Sequence, residues 1–271
     1  MNLQEPLQRL GLRWMHQNHQ KIIEKGVIEN WGVEQIIGEL CDGEIQQREQ
    51  QKRARLLNLS KLDANKSMDK LDLSLFPTKL RRQIEMLLDG EFADNATNIL
   101  AFGLPGRGKT HIVTAIGLEL TQKGYRVLFR TTRQLVEELL RAKASLKLAQ
   151  ELKKLDAYDV IICDDIGYLE HTKEEMEVFF AFLSERYERR SIMITSNLVF
   201  SEWEKIFKDA MTTAAAIDRM VHHSVMLEVK TERSYREYQA ELNLREEEEL
   251  LSKSGSKKKR KTGNDAGTNS N

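Results

Sequence analysis

From residue 79 to about 245, short apolar runs alternate with longer amphipathic stretches. The runs at 98–103, 126–131, 160–163, 191–196 and 224–229 are brief, rich in Ile and Val, and bounded by polar residues, which predicts five strands. Between them, 110–123, 132–143 and 172–189 repeat apolar residues at three-four spacing, which predicts helices. Thr172 with Glu175, and Ser201 with Glu204, have the spacing of a capping box at a helix start. Strands alternating with helices call for an α/β fold, a mainly parallel sheet covered on both faces.

The first 75 residues read differently. Val33, Ile36, Ile37, Leu40, Cys41, Ile45, Leu56 and Leu59 largely keep helical spacing, which predicts one apolar helix face. The opposite face turns basic at Arg48, Lys52, Arg53 and Arg55. Phe76-Pro77 breaks the pattern, because a residue before proline avoids the helical region. A hinge or linker is expected near 60–78. The last stretch, 252–271, holds a single apolar residue, Ala266, and is expected to be a disordered basic tail. The expected divisions are a helical domain at 1–75, an α/β domain at 76–251 and the tail at 252–271.

Composition narrows the functional classes. Among 271 residues, 42 Lys and Arg balance 42 Asp and Glu, which excludes a uniformly basic nucleic-acid binder. It leaves room for a local stripe: between Arg48 and Arg82, ten basic residues meet four acidic ones. The longest apolar run, Val178 to Leu183, is six residues, so no membrane-spanning helix is expected. The N-terminus lacks the layout of a secretory signal, and two cysteines make no disulfide framework or zinc site. A cytoplasmic location is the expectation. Cys163 is expected to be buried and inert, Trp14 and Trp31 to anchor a small core, and His222 and His223 to be packed or exposed rather than metal-bound.

The strongest chemical signal is Gly103-Leu104-Pro105-Gly106-Arg107-Gly108-Lys109-Thr110, which satisfies G-x-x-x-x-G-K-[ST] at every defined position. A predicted strand precedes it and a predicted helix follows. Glycines let backbone N–H groups curl around phosphate oxygens, and the helix start adds unpaired N–H groups and a positive dipole end. Lys109 is expected to reach the β- and γ-phosphates of a nucleotide, ATP, and Thr110 to hold Mg²⁺. The strand Val160–Cys163 then ends in Asp164-Asp165. Asp164 is expected to hold Mg²⁺ and Asp165 to orient or deprotonate the attacking water. The next strand ends in Asn197, placed to touch the γ-phosphate or that water.

GLPGRGKTH, which includes His111, followed by VIICDDIGYL, MITSNLVFSEW and AAAIDRMVHHSVMLEVKTERSYR, resembles the IstB-like helper ATPases of insertion-sequence transposition. That AAA+ family is similar to DnaC-type helicase loaders and to the initiator DnaA. The resemblance spans roughly residues 5–240. It implies a five-stranded parallel sheet in the order 5-1-4-3-2 and an ATP-dependent homo-oligomer. It further implies ATP hydrolysis, remodelling of duplex DNA, and a partner transposase. It puts Arg219 at the family's arginine-finger position, reaching across a subunit boundary. The helical lid is short here, and Arg236 is a weak candidate for the second sensor. On the same resemblance, Arg48, Lys52, Arg53 and Arg55 are candidate DNA contacts. The alternative function is a replicative helicase loader. A P-loop small-molecule kinase, with an acceptor pocket and activity as a monomer, and a nucleotide-binding scaffold without turnover are further competitors.

Overall fold

The computed structural model describes residues 3–167, 172–198, 220–231 and 234. The chain opens with helices α1 (Gln4–Arg9), α2 (Arg13–Ile28) and α3 (Val33–Ser60). Short 3₁₀ turns cover Ala64–Lys66, Met68–Lys70 and Leu73–Leu75, and α4 (Thr78–Leu87) and α5 (Glu91–Asp94) follow. The α/β part then runs β1 (Asn98–Phe102), α6 (Lys109–Gln122), β2 (Val127–Thr131), α7 (Thr132–Ala144) and α8 (Leu148–Asp156). It ends with β3 (Val160–Asp164), α9 (Lys173–Arg186), β4 (Ser191–Ser196) and β5 (Ser224–Glu228).

Each expected strand is present within a residue of its expected ends. The five strands form one sheet, ordered β2-β3-β4-β1-β5, and every neighbouring pair is parallel. Read from the other edge, this is the order 5-1-4-3-2. β1, β3 and β4 are buried along their whole length, so their continuous apolar runs match a sheet covered on both faces. One face packs Leu80, Ile84 and Leu87 of α4 and Ile112, Ile116 and Leu120 of α6. The other packs Leu135 and Leu139 of α7, Leu155 of α8, and Phe179 and Phe182 of α9. Thr172 and Glu175 form the expected capping box, and Thr131 with Gln134 forms another. Ser201 and Glu204 lie outside the described residues.

A buried cation fastens the bottom of the sheet. Arg186 is 1% exposed and donates to the carbonyls of Leu155 (2.9 Å), Tyr158 (3.0 Å), Asp159 (3.2 Å) and Ser191 (2.9 Å). It thereby joins the end of α8 to the starts of β3 and β4. Burial pushes its pKa down to about 10, yet the four acceptors keep the guanidinium satisfied on one side.

Two expectations for the N-terminal region change. The segment near 60–78, expected as a linker, is packed down: Leu71 and Phe76 are 4% and 2% exposed and join the core on the α6 face. Asp63 and Asp72 each cap a turn by accepting from the N–H two residues on, which stabilises short 3₁₀ pieces. The apolar face expected on α3 is only partly covered, since Val33, Ile37, Ile45 and Leu59 remain 46–73% exposed. Two antiparallel helices bury only a narrow seam between them. Here that seam is set by Trp14 lying on Gly43, where an added Cβ would meet the indole at 2.2 Å.

Beside that contact, Glu44 of α3 reaches the first turn of α2. Its carboxylate accepts from the N–H groups of Trp14 (2.9 Å) and Met15 (3.2 Å). Leu12, at the N-cap position, cannot cap α2 with its side chain, and Glu44 supplies the acceptor from another helix. Arg48 donates to Glu44 at 2.9 Å and to the Gly11 carbonyl at 3.1 Å. Burial would raise the Glu44 pKa, but Arg48 and the two N–H donors outweigh it and hold it below the usual glutamate value.

Candidate nucleotide site

The site lies where β1, β3 and β4 end, at the position at which open parallel sheets collect ligands. Gly103 leaves β1 so close to the outgoing chain after β5 that an added Cβ would sit 2.3 Å from the Val229 carbonyl oxygen. Gly108 is left-handed, at φ 92°, immediately before α6, a conformation open to glycine at little cost. No side chain caps α6, and its first turn, Lys109 and Thr110, opens on the cleft with the positive end of the helix dipole. The loop and the strand ends enclose a cleft of about 430 Å³ lined by Pro105, Lys109, Thr110, Asp164, Asp165 and Asn197, among others.

Inside the cleft the polar groups are already connected. The Lys109 ammonium donates to the carbonyls of Gly103 (2.7 Å) and Leu104 (2.9 Å) and to Asn197 Oδ1 (2.6 Å). Asn197 Nδ2 donates in turn to Asp165 Oδ1 at 3.0 Å. Thr110 Oγ1 donates to Asp164 Oδ1 at 2.8 Å. A triphosphate fits this set: a lysine, the positive start of α6 and a glycine loop suit an anion, and a hydroxyl paired with a carboxylate suits a hard divalent cation. Asp165 has its backbone at φ 62°, and burial followed by the Asp164 charge raises its pKa, against Lys109 and the Gly167 N–H.

Other expected site residues fall as follows. Arg107 lines the cleft, but its guanidinium donates to the Thr231 carbonyl at 2.7 Å, tying the loop to the chain beyond β5. His111 Nε2 faces the Ser67 carbonyl at 3.2 Å, so this nitrogen carries a proton, and burial lowers the ring's pKa. Leu104 is 62% exposed at the loop tip. Lys52, Arg53 and Arg55 are exposed on α3, away from the cleft, while Arg48 is engaged with Glu44 and Gly11. Arg219, Arg236 and the basic tail lie outside the described residues. Cys163 is buried in β3, and its thiol is pushed up to about 12, as expected of an inert packing residue. His222 and His223 are at the surface, with the His222 ring facing the Tyr187 hydroxyl at 3.2 Å.

Two cleft residues escaped the sequence reading. Lys66 reaches the cleft from the 3₁₀ segment, and no local pattern marked it. Thr195 is buried at the end of β4, and its Oγ1 donates to Asp164 Oδ1 at 2.6 Å. Strand alternation puts it on the same side as Asn197, a signal that was present in the sequence.

A glycine loop between a buried strand and a helix, acidic and amide strand ends around a lysine, and the order 5-1-4-3-2 define a P-loop nucleotide-binding domain of the AAA+ class. The sequence profile of the IstB-like ATP binding proteins matches residues 5–242, and the chain belongs to that family. It is 34% identical over 234 residues to the insertion sequence IS5376 putative ATP-binding protein of Geobacillus stearothermophilus, covering 86% of this chain and 93% of that one. It is 32% identical to the insertion sequence IS21 putative ATP-binding protein of Pseudomonas aeruginosa, over 85% of this chain and 86% of the relative. A putative insertion sequence ATP-binding protein of Sinorhizobium fredii is 38% identical, over 77% of this chain and 70% of the relative. Among solved structures, the DnaC helicase loader superposes with a TM-score of 0.52 at 20% identity, covering 62% of this chain and 98% of that one. AMPPCP-bound DnaA from Aquifex aeolicus gives 0.56 at 17% identity, covering 69% and 57%. These two likenesses concern the fold. Among the described residues, no helix is long and apolar enough to cross a membrane.

Proposed function

We propose that this protein is an ATP-hydrolysing helper of insertion-sequence transposition that assembles with copies of itself on duplex DNA and serves a partner transposase. The observation that carries the reading is the pair of hydrogen-bonded chains in one cleft, Lys109–Asn197–Asp165 and Thr110–Asp164. Together they join the phosphate loop and the start of α6 to the ends of β3 and β4, an arrangement suited to γ-phosphate chemistry.

In this scheme Lys109 exchanges the two carbonyls for β- and γ-phosphate oxygens and keeps Asn197 as its side-chain partner. Thr110 and Asp164 would hold Mg²⁺, which would supply positive charge against that developing on the phosphates. Asp165 takes a proton from the attacking water as its oxygen bonds to the γ-phosphorus, and the bond to the ADP oxygen breaks. Asn197 orients that water or the γ-phosphate. Arg219 completes the site of a neighbouring subunit, and with this residue ATP binds adjacent copies together. Residues 1–75 form the DNA- or partner-binding part, 76–251 the ATPase with a reduced lid, and 252–271 a basic tail. Lys52, Arg53 and Arg55 contact phosphates, with Arg48 closing the group from its place beside Glu44.

A second reading, a helicase loader, draws on the likeness of fold to DnaC. The two are separated by imaging the full chain with long duplex DNA, with and without ATP, alongside capture of a replicative helicase. ATP-dependent assemblies on duplex DNA, absent in Lys109→Ala, are expected. Nucleotide affinity and assembly unchanged by Lys109→Ala would refute the scheme, and helicase capture without duplex binding would favour the loader.

A further inference from the structure

We infer that Thr195 is the positioning residue of the hydrolytic centre: one buried hydroxyl sets both carboxylates of the Asp164-Asp165 pair. The inference rests on the proposed ATPase reading and adds to it a residue that neither touches phosphate nor lies in the loop.

The register of the sheet explains why this position has such leverage. The β3–β4 ladder runs from Val160 opposite Ser191 to Cys163 opposite Ile194, and there it ends. Beyond it, three successive residues of the β3 exit are tied to Thr195. Its Oγ1 donates to Asp164 Oδ1 at 2.6 Å and accepts from the Asp165 N–H at 2.8 Å, and its carbonyl accepts from the Ile166 N–H at 3.0 Å. Thr195 is itself held in mid-sheet, 1% exposed and opposite Ala101 of β1. The β-branched side chain has few rotamers in a strand, so its hydroxyl has little freedom to move.

Each bond has a separate consequence. On Asp164, the hydroxyls of Thr110 and Thr195 converge on the same oxygen, Oδ1, and neither takes Oδ2. The carboxylate is thus held by two donors on one oxygen, and Oδ2 is the atom that would hold a divalent cation. Thr110 approaches from the helix side and has its own task at the cation. Thr195 has none, and so would still hold Asp164 with Thr110 engaged at the metal. On Asp165, the bonded N–H fixes a left-handed residue at φ 62°, a conformation uncommon outside glycine and kept where surrounding bonds enforce it. That backbone turn aims the Asp165 side chain at Asn197 Nδ2, 3.0 Å away. Without the hydroxyl, both carboxylates lose their common reference to β4 and to the lysine–asparagine chain beside it.

The test uses the full-length chain and three variants. Thr195→Val keeps shape and β-branching but removes the hydroxyl. Thr195→Ser restores the hydroxyl without the methyl. Thr195→Cys, which puts a weak thiol donor in place of the hydroxyl and lacks the methyl as serine does, stands in if the valine variant fails to fold. The first readout is binding of a fluorescent, non-hydrolysable ATP analogue as Mg²⁺ is titrated, and the second is kcat for ATP.

Losing a hydrogen bond that orients a metal-binding carboxylate reduces metal affinity or activity by roughly 10–100-fold, so Thr195→Val is expected to raise half-saturating Mg²⁺ and to lower kcat on that scale. Its analogue affinity in EDTA should be unchanged. Thr195→Ser should return both quantities to within about threefold of the parent, with Thr195→Cys between the two. A valine variant with parental Mg²⁺ response and kcat overturns the inference. So does a serine variant as impaired as valine, because the methyl packing would then be responsible. If the parent binds nucleotide but never hydrolyses it, the ATPase reading alone fails, and the Mg²⁺ titration still decides the role of Thr195 in setting Asp164.

Discussion

Replacing Glu44 by alanine should loosen the N-terminal helices while leaving the nucleotide cleft intact. In the parent protein Glu44 is 5% exposed, and its carboxylate satisfies two first-turn N–H groups of α2. Hydrogen bonds to a charged group are worth about 1.5–3 kcal/mol, and loss of an N-cap about 0.5–2 kcal/mol. These two figures describe the same interaction and are not added. The Arg48 pair contributes little, because the Arg48 side chain is 56% exposed, and such pairs are worth about 0–1 kcal/mol before screening. Releasing the carboxylate from its buried place returns part of the loss. The net expectation is about 2 kcal/mol, a 30-fold rise in opening of the α2 start. Hydrogen exchange followed by mass spectrometry should show it as lost protection at Trp14 and Met15, with the β1 and β3 amides unchanged. Glu44→Gln keeps one acceptor and should lose about half as much.

The pH dependence has a definite sign. The folded pKa of Glu44 lies below its unfolded value, so its contribution is complete above the unfolded value and disappears as pH falls through the folded one. The difference between the parent and Glu44→Ala should therefore shrink on acidification. Unchanged exchange at Trp14 and Met15 in Glu44→Ala would refute the capping argument, as would a difference that grows as pH falls.

Asp165→Asn can retain an acceptor for Asn197 but no longer takes a proton, so turnover should fall about 10²–10⁴-fold with nucleotide affinity nearly unchanged; single-turnover kinetics and equilibrium binding would check the split. Removing Arg186 as Arg186→Met strands four carbonyl acceptors but relieves the cost of burying a cation, leaving a net loss of about 2–4 kcal/mol measurable by urea denaturation. Mutating Lys52, Arg53 and Arg55 together to alanine should weaken duplex binding alike for unrelated sequences and flatten the salt slope by up to about 2.7, as three phosphate contacts would contribute roughly 0.9 each. A slope equal to the parent's would remove these three residues from the interface.

Much of the α/β part is written locally in the chain. A strand buried on both faces has to be apolar throughout, so Asn98–Phe102, Val160–Asp164 and Ser191–Ser196 declare themselves as runs. The phosphate loop is equally legible, because its parts are contiguous and each glycine answers a backbone requirement at its own position. Asp164 and Asn197 are visible as polar ends to apolar strands. The N-terminal region carries a weaker signal. Helical spacing predicted α3, but spacing alone says nothing about how wide a partner surface covers it, and Val33, Ile37 and Ile45 remain exposed.

What the order of residues determined is therefore the set of elements, the phosphate loop, and the residue types that end each strand. Tertiary structure alone decided which groups share an atom. Thr195 meets Asp164 across 31 residues, Lys109 meets Asn197 across 88, and Glu44 caps a helix that begins 31 residues earlier. Periodicity reports only whether a side chain faces inward. Hydrogen-bond partnership depends on distances of about 3 Å between atoms of different elements. Those distances exist only once strand order and register have brought the elements together.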